Sequence, residues 1–220
     1  ILDEEVRFLD AGAVAGLANY DAVARLKTMF PEAASIITIG TAGEMRLMAA
    51  TIAVTDPEGN PSRHAGRGGL GAVMGSMGIK AIVVSKGSRR APAPADPDGF
   101  KAVAAEWGKK LVAEKKNLAM YGNAQIVDTS NAIGALPVKN YRMGRFEAAS
   151  KITGTEIARL QATRGGRMGH ACSPSCVIRC SNIFHGPDGK YLTSGLEYES
   201  IGMLGSNLMI GDIDEIARIE

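Results

Sequence analysis

The sequence predicts an α+β domain followed by the first part of a mainly α-helical domain. Short β-branched strand segments dominate before residue 87, helical periodicity dominates from residue 100 onward, and a segment with three prolines separates the two regions. We therefore assign residues 1–88 to the α+β domain, residues 89–99 to a linker and residues 100–220 to the helical domain.

The α+β part is read from local signals in chain order. Asp21 can cap a helix that ends at Pro31, and a glycine-rich stretch covers residues 66–78. Apolar or β-branched runs bounded by turn residues predict strands at residues 35–39, 48–54 and 79–84.

The helical part opens with an amphipathic pattern. Apolar residues recur at helical spacing, at Phe100, Val103, Ala104, Trp107, Leu111 and Val112. We expect the lysines at positions 109, 110, 115 and 116 to lie on the solvent side of this helix.

The composition excludes several classes of protein. With 45% hydrophobic and 22% charged residues, the 220-residue chain is neither disordered nor disulfide-stapled, and it has no apolar run of the roughly 20 residues that span a bilayer. A net charge of +2 and 5% aromatic residues do not favour nucleic acid. We expect no membrane and no nucleic-acid partner.

The three cysteines, Cys172, Cys176 and Cys180, all lie within nine residues. This clustering argues against a secreted disulfide framework and favours a reducing compartment, by default the cytoplasm. Spacing alone leaves three interpretations open. The thiols hold an iron–sulfur cluster with a fourth cysteine from elsewhere, or a zinc ion with His170 or His185, or they are inert buried thiols.

Residues 66–71 satisfy the pattern G-x-G-x-x-G, which is typical of dinucleotide-binding loops. A nicotinamide-dependent dehydrogenase is nevertheless disfavoured, because residues 61–64 interrupt the strand that should run into Gly66 and the expected acidic residue would fall in the linker. Glycines beside Arg63 and Arg67 also suit the phosphate of another cofactor, or serve only tight turns.

Glu197 and Glu199 flank Tyr198 shortly after the cysteines. Two carboxylates at this spacing are usually surface residues, but beside a metal in a dry cavity one of them can serve as a proton relay.

Together these motifs resemble one family, the tungsten-dependent aldehyde ferredoxin oxidoreductases. The resemblance covers nearly the whole chain and rests on motifs in the family's order: residues 40–44 (GTAGE), 63–82 (RHAGRGGLGAVMGSMGIKAI), 134–141 (GALPVKNY), the cysteine cluster and residues 197–199 (EYE).

The resemblance implies that residues 1–88 are the C-terminal half of an α+β domain that binds a bis-pterin tungsten cofactor (tungstopterin), with molybdenum as the alternative metal. The residues implied to contact the pterin and its phosphate are Arg63, His64, Gly66, Arg67, Gly68 and Gly69. The chain starts without Met and stops at Glu220 within a helical pattern, so we expect a fragment of a longer protein.

The resemblance also implies a reaction. An aldehyde is oxidised to a carboxylic acid, and electrons leave through a [4Fe–4S] cluster to ferredoxin or an iron–sulfur partner subunit. Cys172, Cys176 and Cys180 are implied as three cluster ligands, and Glu199 as the proton-transfer carboxylate with Tyr198 beside it. The full-length protein is expected to form a homo-oligomer.

One motif departs from the family pattern. Three residues separate Cys172 from Cys176, where better-known members have two, and this indicates a divergent branch. A zinc-stabilised binding module remains the non-enzymatic alternative.

Overall fold

The computed structural model describes residues 1, 5–88 and 92–220 and divides the chain into two compact units, Ile1–Ala93 and Pro94–Glu220. The division falls within the segment 89–99 that the sequence predicts as a linker, of which residues 89–91 lie outside the described residues. No helix among the described residues is both long and apolar enough to cross a membrane.

The described residues of the first unit form a four-stranded sheet and three helices. In chain order its elements are α1 (Asn19–Met29), β1 (Ala33–Thr38), α2 (Thr41–Glu44), β2 (Ile52–Val54), β3 (Arg63–Ala65), α3 (Leu70–Ser76) and β4 (Ala81–Ser85). The strand order is β3-β2-β1-β4, and every described pairing is antiparallel.

A small core joins α1 to the sheet. Val23 and Leu26 recur on one side of α1 and pack with Val14 and with Ile36 of β1. The helix begins two residues before the predicted cap Asp21, which lies in its first turn, where an acidic side chain complements the helix dipole.

The structure corrects one step of the argument against a dinucleotide site. Strand β3 runs directly into Gly66, and α3 follows the glycines, so the strand–turn–helix context is present. Pro61 does not prevent the strand, because β3 is at the sheet edge, where a nearby proline costs no ladder hydrogen bond. The antiparallel pairing still differs from the parallel βαβ unit of dinucleotide-binding folds.

Two of the motifs that carry the family resemblance meet in this unit. A Cβ atom on Gly75 would collide with the carbonyl oxygen of Gly43, so these glycines allow α2 and α3 to touch through their backbones. The Lys80 ammonium lies 2.5 Å from the Glu44 carboxylate and donates to the Leu17 carbonyl at 2.8 Å. These motif residues therefore stabilise the fold of the first unit.

We expect Lys80→Met to destabilise the first unit by about 3 kcal/mol, because removing one partner of a buried pair leaves the other uncompensated. The Lys80 side chain is only 4% exposed, whereas Glu44 is 28% exposed and keeps some hydration. The unfolding transition of this unit of about 90 residues should fall in midpoint by roughly 12–24 °C. The control Lys86→Met, at an exposed lysine just after β4, should change stability by less than about 0.5 kcal/mol. Equal shifts for the two variants would contradict this role of Lys80.

The second unit contains both helices and a sheet. In chain order its elements are α4 (Pro97–Glu114), α5 (Lys116–Tyr121), a 3₁₀ turn (Asn123–Gln125), α6 (Ile126–Ile133), a 3₁₀ turn (Ala149–Lys151), α7 (Gly154–Arg164), β5 (Arg167–His170), β6 (Ser181–His185), β7 (Tyr191–Thr193), α8 (Tyr198–Ser200), a π-helical turn (Ile201–Gly205), a 3₁₀ turn (Ser206–Leu208) and α9 (Ile213–Ile219).

The sequence prediction of a mainly helical segment omits the sheet of this unit. Strands β5, β6 and β7 form an antiparallel sheet, and the cysteines lie in the connection between β5 and β6. The strands are short and the middle one is interrupted by polar residues such as Asn182, so their sequence signal is weak. A single core, which includes Val127, Ile157, Phe184 and Ile201, joins this sheet to the surrounding helices.

Helix α4 is confirmed, but its apolar face is not buried. The helix begins at Pro97, so the last three residues of the predicted linker are helical; Asp96 caps them by accepting from the Gly99 amide at 2.9 Å. Each described residue of α4 is exposed or partly exposed, including Trp107 at 54%. The amphipathic pattern thus predicted the helix correctly, but it did not predict that the apolar side of the helix is exposed.

Candidate functional site

The loop between β5 and β6 carries the three cysteines. All three are described and half-buried, and they are free thiols. Ser175 and Arg179 adopt positive φ angles of 66° and 53°, which turn the loop sharply between the cysteines. The loop therefore presents its thiols from a compact, folded segment.

The Cys180 thiol lies in a partly desolvated and negatively charged environment. Burial raises the pKa of the Cys180 thiol, and the negative charges of Glu197 and of the thiolates at Cys172 and Cys176 raise it further. Loss of the thiol protons in such an environment requires a compensating positive charge, and a metal ion or an iron–sulfur cluster supplies it. The residues of this loop therefore fit a thiolate-liganded metal centre.

The two histidines proposed as zinc ligands differ in position. His185 lies at the far end of β6 from Cys180, roughly 16 Å along an extended strand. Its Nδ1 is also 3.2 Å from the Arg164 carbonyl oxygen, so the ring is engaged at that end of the sheet. His170 ends β5 just before the loop and is 2% exposed. Of the two histidines, His170 therefore remains the candidate zinc ligand, because it is the one next to the cysteine loop.

The Glu197–Tyr198–Glu199 segment lies at the start of α8, directly after the buried Leu196. Tyr198 is half-buried and packs against the core of the second unit, whereas Glu199 is exposed. At the end of α8, Ser200 donates a hydrogen bond to the Glu220 carboxylate. The contacts of Tyr198 and Ser200 thus hold the segment on both sides of Glu199, whose side chain is exposed.

Asn123 connects this segment to the cysteine loop, and the sequence analysis missed it. Its backbone N–H donates to the Cys180 carbonyl at 3.3 Å, and its side-chain Oδ1 accepts from the Tyr198 amide at 2.9 Å. Its Nδ2 donates a longer bond, at 3.5 Å, to Glu199 Oε2. One asparagine thereby joins the backbone of the turn that carries Glu199 to the backbone of Cys180, a candidate metal ligand.

Gly122 explains how Asn123 reaches both partners. Gly122 has a positive φ of 66°, and a Cβ atom there would lie 3.0 Å from the Cys180 carbonyl oxygen. A side chain at this position would crowd the loop backbone, so the close approach favours glycine. A Gly–Asn pair directly after a helix is the one sequence signal that pointed to this contact.

In the first unit, the predicted cofactor loop connects β3 to α3. Gly68 and Gly69 have φ angles of 77° and 63°, and a Cβ atom on Gly69 would collide with the Met48 carbonyl oxygen. By contrast, Cβ atoms on Gly66 and Gly68 would meet nothing within 4 Å. The loop therefore packs on one side and leaves backbone accessible on the other, and this arrangement fits a phosphate-bearing group.

Most of the charged residues beside this loop belong to the strand that precedes it. Arg63 and His64 belong to β3, and Arg67 lies exposed between the glycines. Protein atoms around His64 lower its pKa, and the adjacent Arg63 guanidinium lowers it further. The His64 Nδ1 lies 2.9 Å from the Thr51 hydroxyl oxygen. At neutral pH the positive charge beside the loop therefore comes from the arginines rather than from the imidazole.

Family models match both units. Residues 1–86 match the model described as aldehyde ferredoxin oxidoreductase, N-terminal domain, and residues 102–220 match the model for domains 2 and 3 of the same family. The chain belongs to the aldehyde ferredoxin oxidoreductase family. The family predicted from the motifs is thereby confirmed.

Curated relatives agree with this assignment. The tungsten-containing aldehyde ferredoxin oxidoreductase of Pyrococcus abyssi is 36% identical over 221 residues, which cover 98% of this chain and 34% of that protein. The enzyme of the same name from Thermococcus kodakarensis is 34% identical over 220 residues, with the same two coverages. The chain thus spans about a third of the length of these aldehyde ferredoxin oxidoreductases.

Two more distant proteins are also similar. The WOR-like subunit of an aliphatic sulfonate oxidoreductase from Pyrococcus furiosus is 25% identical over 189 residues, covering 86% of this chain and 29% of that protein. The active-site complex BamBC of benzoyl-coenzyme A reductase has a TM-score of 0.67 at 19% identity, covering 96% of this chain and 32% of that one. The similarity to BamBC shows that this chain and that protein share a fold.

Proposed function

We propose that the protein containing this chain oxidises an aldehyde to a carboxylic acid at a bis-pterin tungsten or molybdenum centre. The electrons released by this oxidation leave through a [4Fe–4S] cluster to ferredoxin or to an iron–sulfur partner subunit. The arrangement around Asn123 supports this proposal. The three thiols share one loop, and Asn123 connects the Cys180 carbonyl of that loop to the turn that contains Glu199.

Cys172, Cys176 and Cys180 are proposed as three of the four cluster ligands. Iron–sulfur clusters are held by thiolates, and bound iron would compensate the burial and the neighbouring negative charge that raise the Cys180 pKa. The extra residue between the first two cysteines lengthens one turn of the loop, where Ser175 takes its positive φ. Iron–sulfur centres are preserved in reducing compartments, so the proposal includes a cytoplasmic location.

Arg63, His64, Gly66, Arg67, Gly68 and Gly69 are proposed to bind the pterin cofactor. The accessible backbone at Gly66 and Gly68 supplies N–H donors, and the two arginines supply charge for a phosphate. When bound, this cofactor supplies the two-electron redox chemistry. The chain's own contribution at this loop is to bind and orient it.

Glu199 is proposed as the residue that accepts a proton during the reaction. Conversion of an aldehyde and water to a carboxylic acid releases two protons and two electrons, so the site needs a proton acceptor. The bond from the Tyr198 amide to Asn123 anchors the turn that carries Glu199, and the exposure of Glu199 gives it a route to bulk solvent. Tyr198 packs into the core beneath it and fixes the direction of the turn.

The proposal is tested by an anaerobic activity assay on the intact holoprotein. Aldehydes should reduce a viologen dye with stoichiometric formation of carboxylate, and NAD(P)⁺ should not replace the dye. Dependence on NAD(P)⁺ would favour a dehydrogenase instead. Failure of a broad aldehyde panel to reduce the dye, with the metal centres fully loaded, would contradict the proposed reaction.

Asn123→Ala is expected to lower kcat by roughly 10- to 100-fold, because Glu199 and the Tyr198 amide lose the contact that positions them. The matched control is Asn131→Ala. The Asn131 side chain also accepts from a backbone amide, that of Phe146 at 2.7 Å, but it has no contact with the Glu199 turn.

Both variants should lose about 1–3 kcal/mol of stability, because each leaves one amide without its acceptor. Only Asn123→Ala should also alter the pH dependence of kcat. Thermal unfolding together with pH–rate profiles measures both quantities, and parallel kinetic behaviour of the two variants would contradict a positioning role.

A further inference from the structure

The segment between β7 and α8 runs back toward the cysteine loop. The last pair in the described ladder of β6 and β7 is Phe184 with Thr193. Cys180 lies four residues before Phe184, and Glu197 lies four residues after Thr193. Because antiparallel strands run in opposite directions, continuing this register places Glu197 opposite Cys180. The half-buried Glu197 and a candidate cluster ligand are therefore expected to be neighbours.

Two buried side chains of β6 hold this segment beyond the end of the backbone ladder. The Ser181 hydroxyl donates to the Ser194 carbonyl oxygen at 3.1 Å. The Asn182 Nδ2 donates to the Leu196 carbonyl oxygen at 2.8 Å. Asn182 is 0% exposed and Ser181 is 1% exposed. These bonds tie the strand that leaves the cysteine loop to the residue that directly precedes Glu197.

The Asn182 amide adds less to stability than its burial suggests. Its Oδ1 is buried, and none of the described residues donates a hydrogen bond to it. The two amide atoms cannot be exchanged, because Oδ1 would then face the Leu196 carbonyl oxygen as a second acceptor. A buried acceptor without a donor is costly, and this cost offsets the gain from the Leu196 bond. A role beyond stability therefore accounts better for asparagine at this position.

We propose that Asn182 is a positioning residue that holds the Glu197 carboxylate beside Cys180 and thereby lowers the reduction potential of the cluster. This inference rests on the proposed function, because it needs a cluster at the cysteines. One-electron reduction adds a negative charge to the cluster and forms or breaks no bond. A carboxylate fixed nearby makes that step less favourable.

The charge environment of the cysteine loop supports the same neighbourhood. Burial raises the pKa of the Cys180 thiol, and the Glu197 charge raises it further. Glu199 lies two residues beyond Glu197 and is exposed, so solvent screens its charge more strongly. Glu197 is therefore the carboxylate through which Asn182 acts.

The test is a redox titration of the cluster in the intact holoprotein, followed by paramagnetic resonance. The variant is Asn182→Leu, whose side chain branches at the same carbon but donates no hydrogen bond. The equilibrium constant for one-electron reduction should rise about 10-fold, which is an upward shift of about 59 mV. In a Glu197→Gln background the same substitution should change that constant by about 2-fold or less, because the charge is already absent. Asn182→Ala, a smaller variant, should give the same upward shift.

Gln161→Met is the matched control. Gln161 is 2% exposed and holds the other end of β6, where Oε1 accepts from the His185 amide at 2.7 Å and Nε2 donates to the His185 carbonyl oxygen at 3.3 Å. Both amide atoms are paired, so this variant should lower the thermal midpoint by roughly 4 °C or more. The reduction equilibrium of the cluster should change by about 2-fold or less. Asn182→Leu should shift the midpoint by less than about 3 °C, because it removes one unpaired acceptor and creates another.

A cluster potential in Asn182→Leu and Asn182→Ala that matches the unmodified protein would overturn the proposal and leave the proposed function intact. An equal shift with and without the Glu197 charge would also overturn it, because Asn182 would then act by another route. Absence of an iron–sulfur signal from the unmodified protein would instead contradict the proposed function itself.

Discussion

Cys180→Ser is expected to abolish electron transfer, with aldehyde-dependent reduction of a viologen dye or of ferredoxin falling by at least about 100-fold. Serine is a poor ligand for iron, and Cys180 is the cysteine whose thiol is desolvated by the surrounding protein. Its carbonyl also contacts Asn123, so the residue joins the metal loop to the Glu199 turn. Iron content and the paramagnetic-resonance signal of the reduced cluster measure the loss directly.

Ser173→Ala is the matched control for this substitution. Ser173 lies in the same loop and is exposed, and it contributes a backbone carbonyl that accepts from the Cys176 amide at 3.2 Å. Alanine keeps that bond, so iron content and activity should stay within about 2-fold of the unmodified protein. Retention of a complete cluster in Cys180→Ser would remove Cys180 from the ligand set.

Glu199→Gln is expected to lower kcat by roughly 10²- to 10⁴-fold, because glutamine keeps the shape of the side chain but accepts no proton. The Asn123 contact reaches one carboxylate oxygen, and an amide oxygen can replace it, so the turn should keep its position. The cluster signal should therefore be unchanged while turnover collapses. Steady-state kinetics and paramagnetic resonance on the same sample separate the two effects.

Glu197→Gln provides the comparison for Glu199→Gln. Glu197 lies two residues earlier, and its charge raises the pKa of Cys180, so it acts on the metal loop rather than on the proton path. We expect this variant to shift the reduction potential of the cluster while kcat stays within about 10-fold. A larger loss of kcat in Glu197→Gln than in Glu199→Gln would reverse the assigned roles.

The parts of the site that the sequence predicted are those in which the residues lie near one another along the chain. The cysteines occupy nine residues, and Glu199 follows them by nineteen. Asn123 was missed because its partner Tyr198 is 75 residues away, and only the folded chain brings them together. Spacing along the sequence therefore predicts the group of thiols, but it does not predict the contact that positions the Glu199 turn.

The fold was predicted to a similar extent. Helix α4 followed from its periodicity and β4 from its apolar run, but β3 was missed because Pro61 suggested a break that an edge strand tolerates. The sheet around the cysteine loop was missed because its strands have three to five residues. The exposure of Trp107 depends on what packs against α4, which no periodicity encodes.

This chain is proposed to contribute to a protein with a pterin-bound metal and an iron–sulfur cluster. Elemental analysis of the intact protein, purified without oxygen, is the decisive measurement. We predict tungsten or molybdenum together with about four irons per cluster, and a paramagnetic-resonance signal from the reduced cluster. Zinc in place of iron would contradict the account and leave the cysteine loop as a structural metal site.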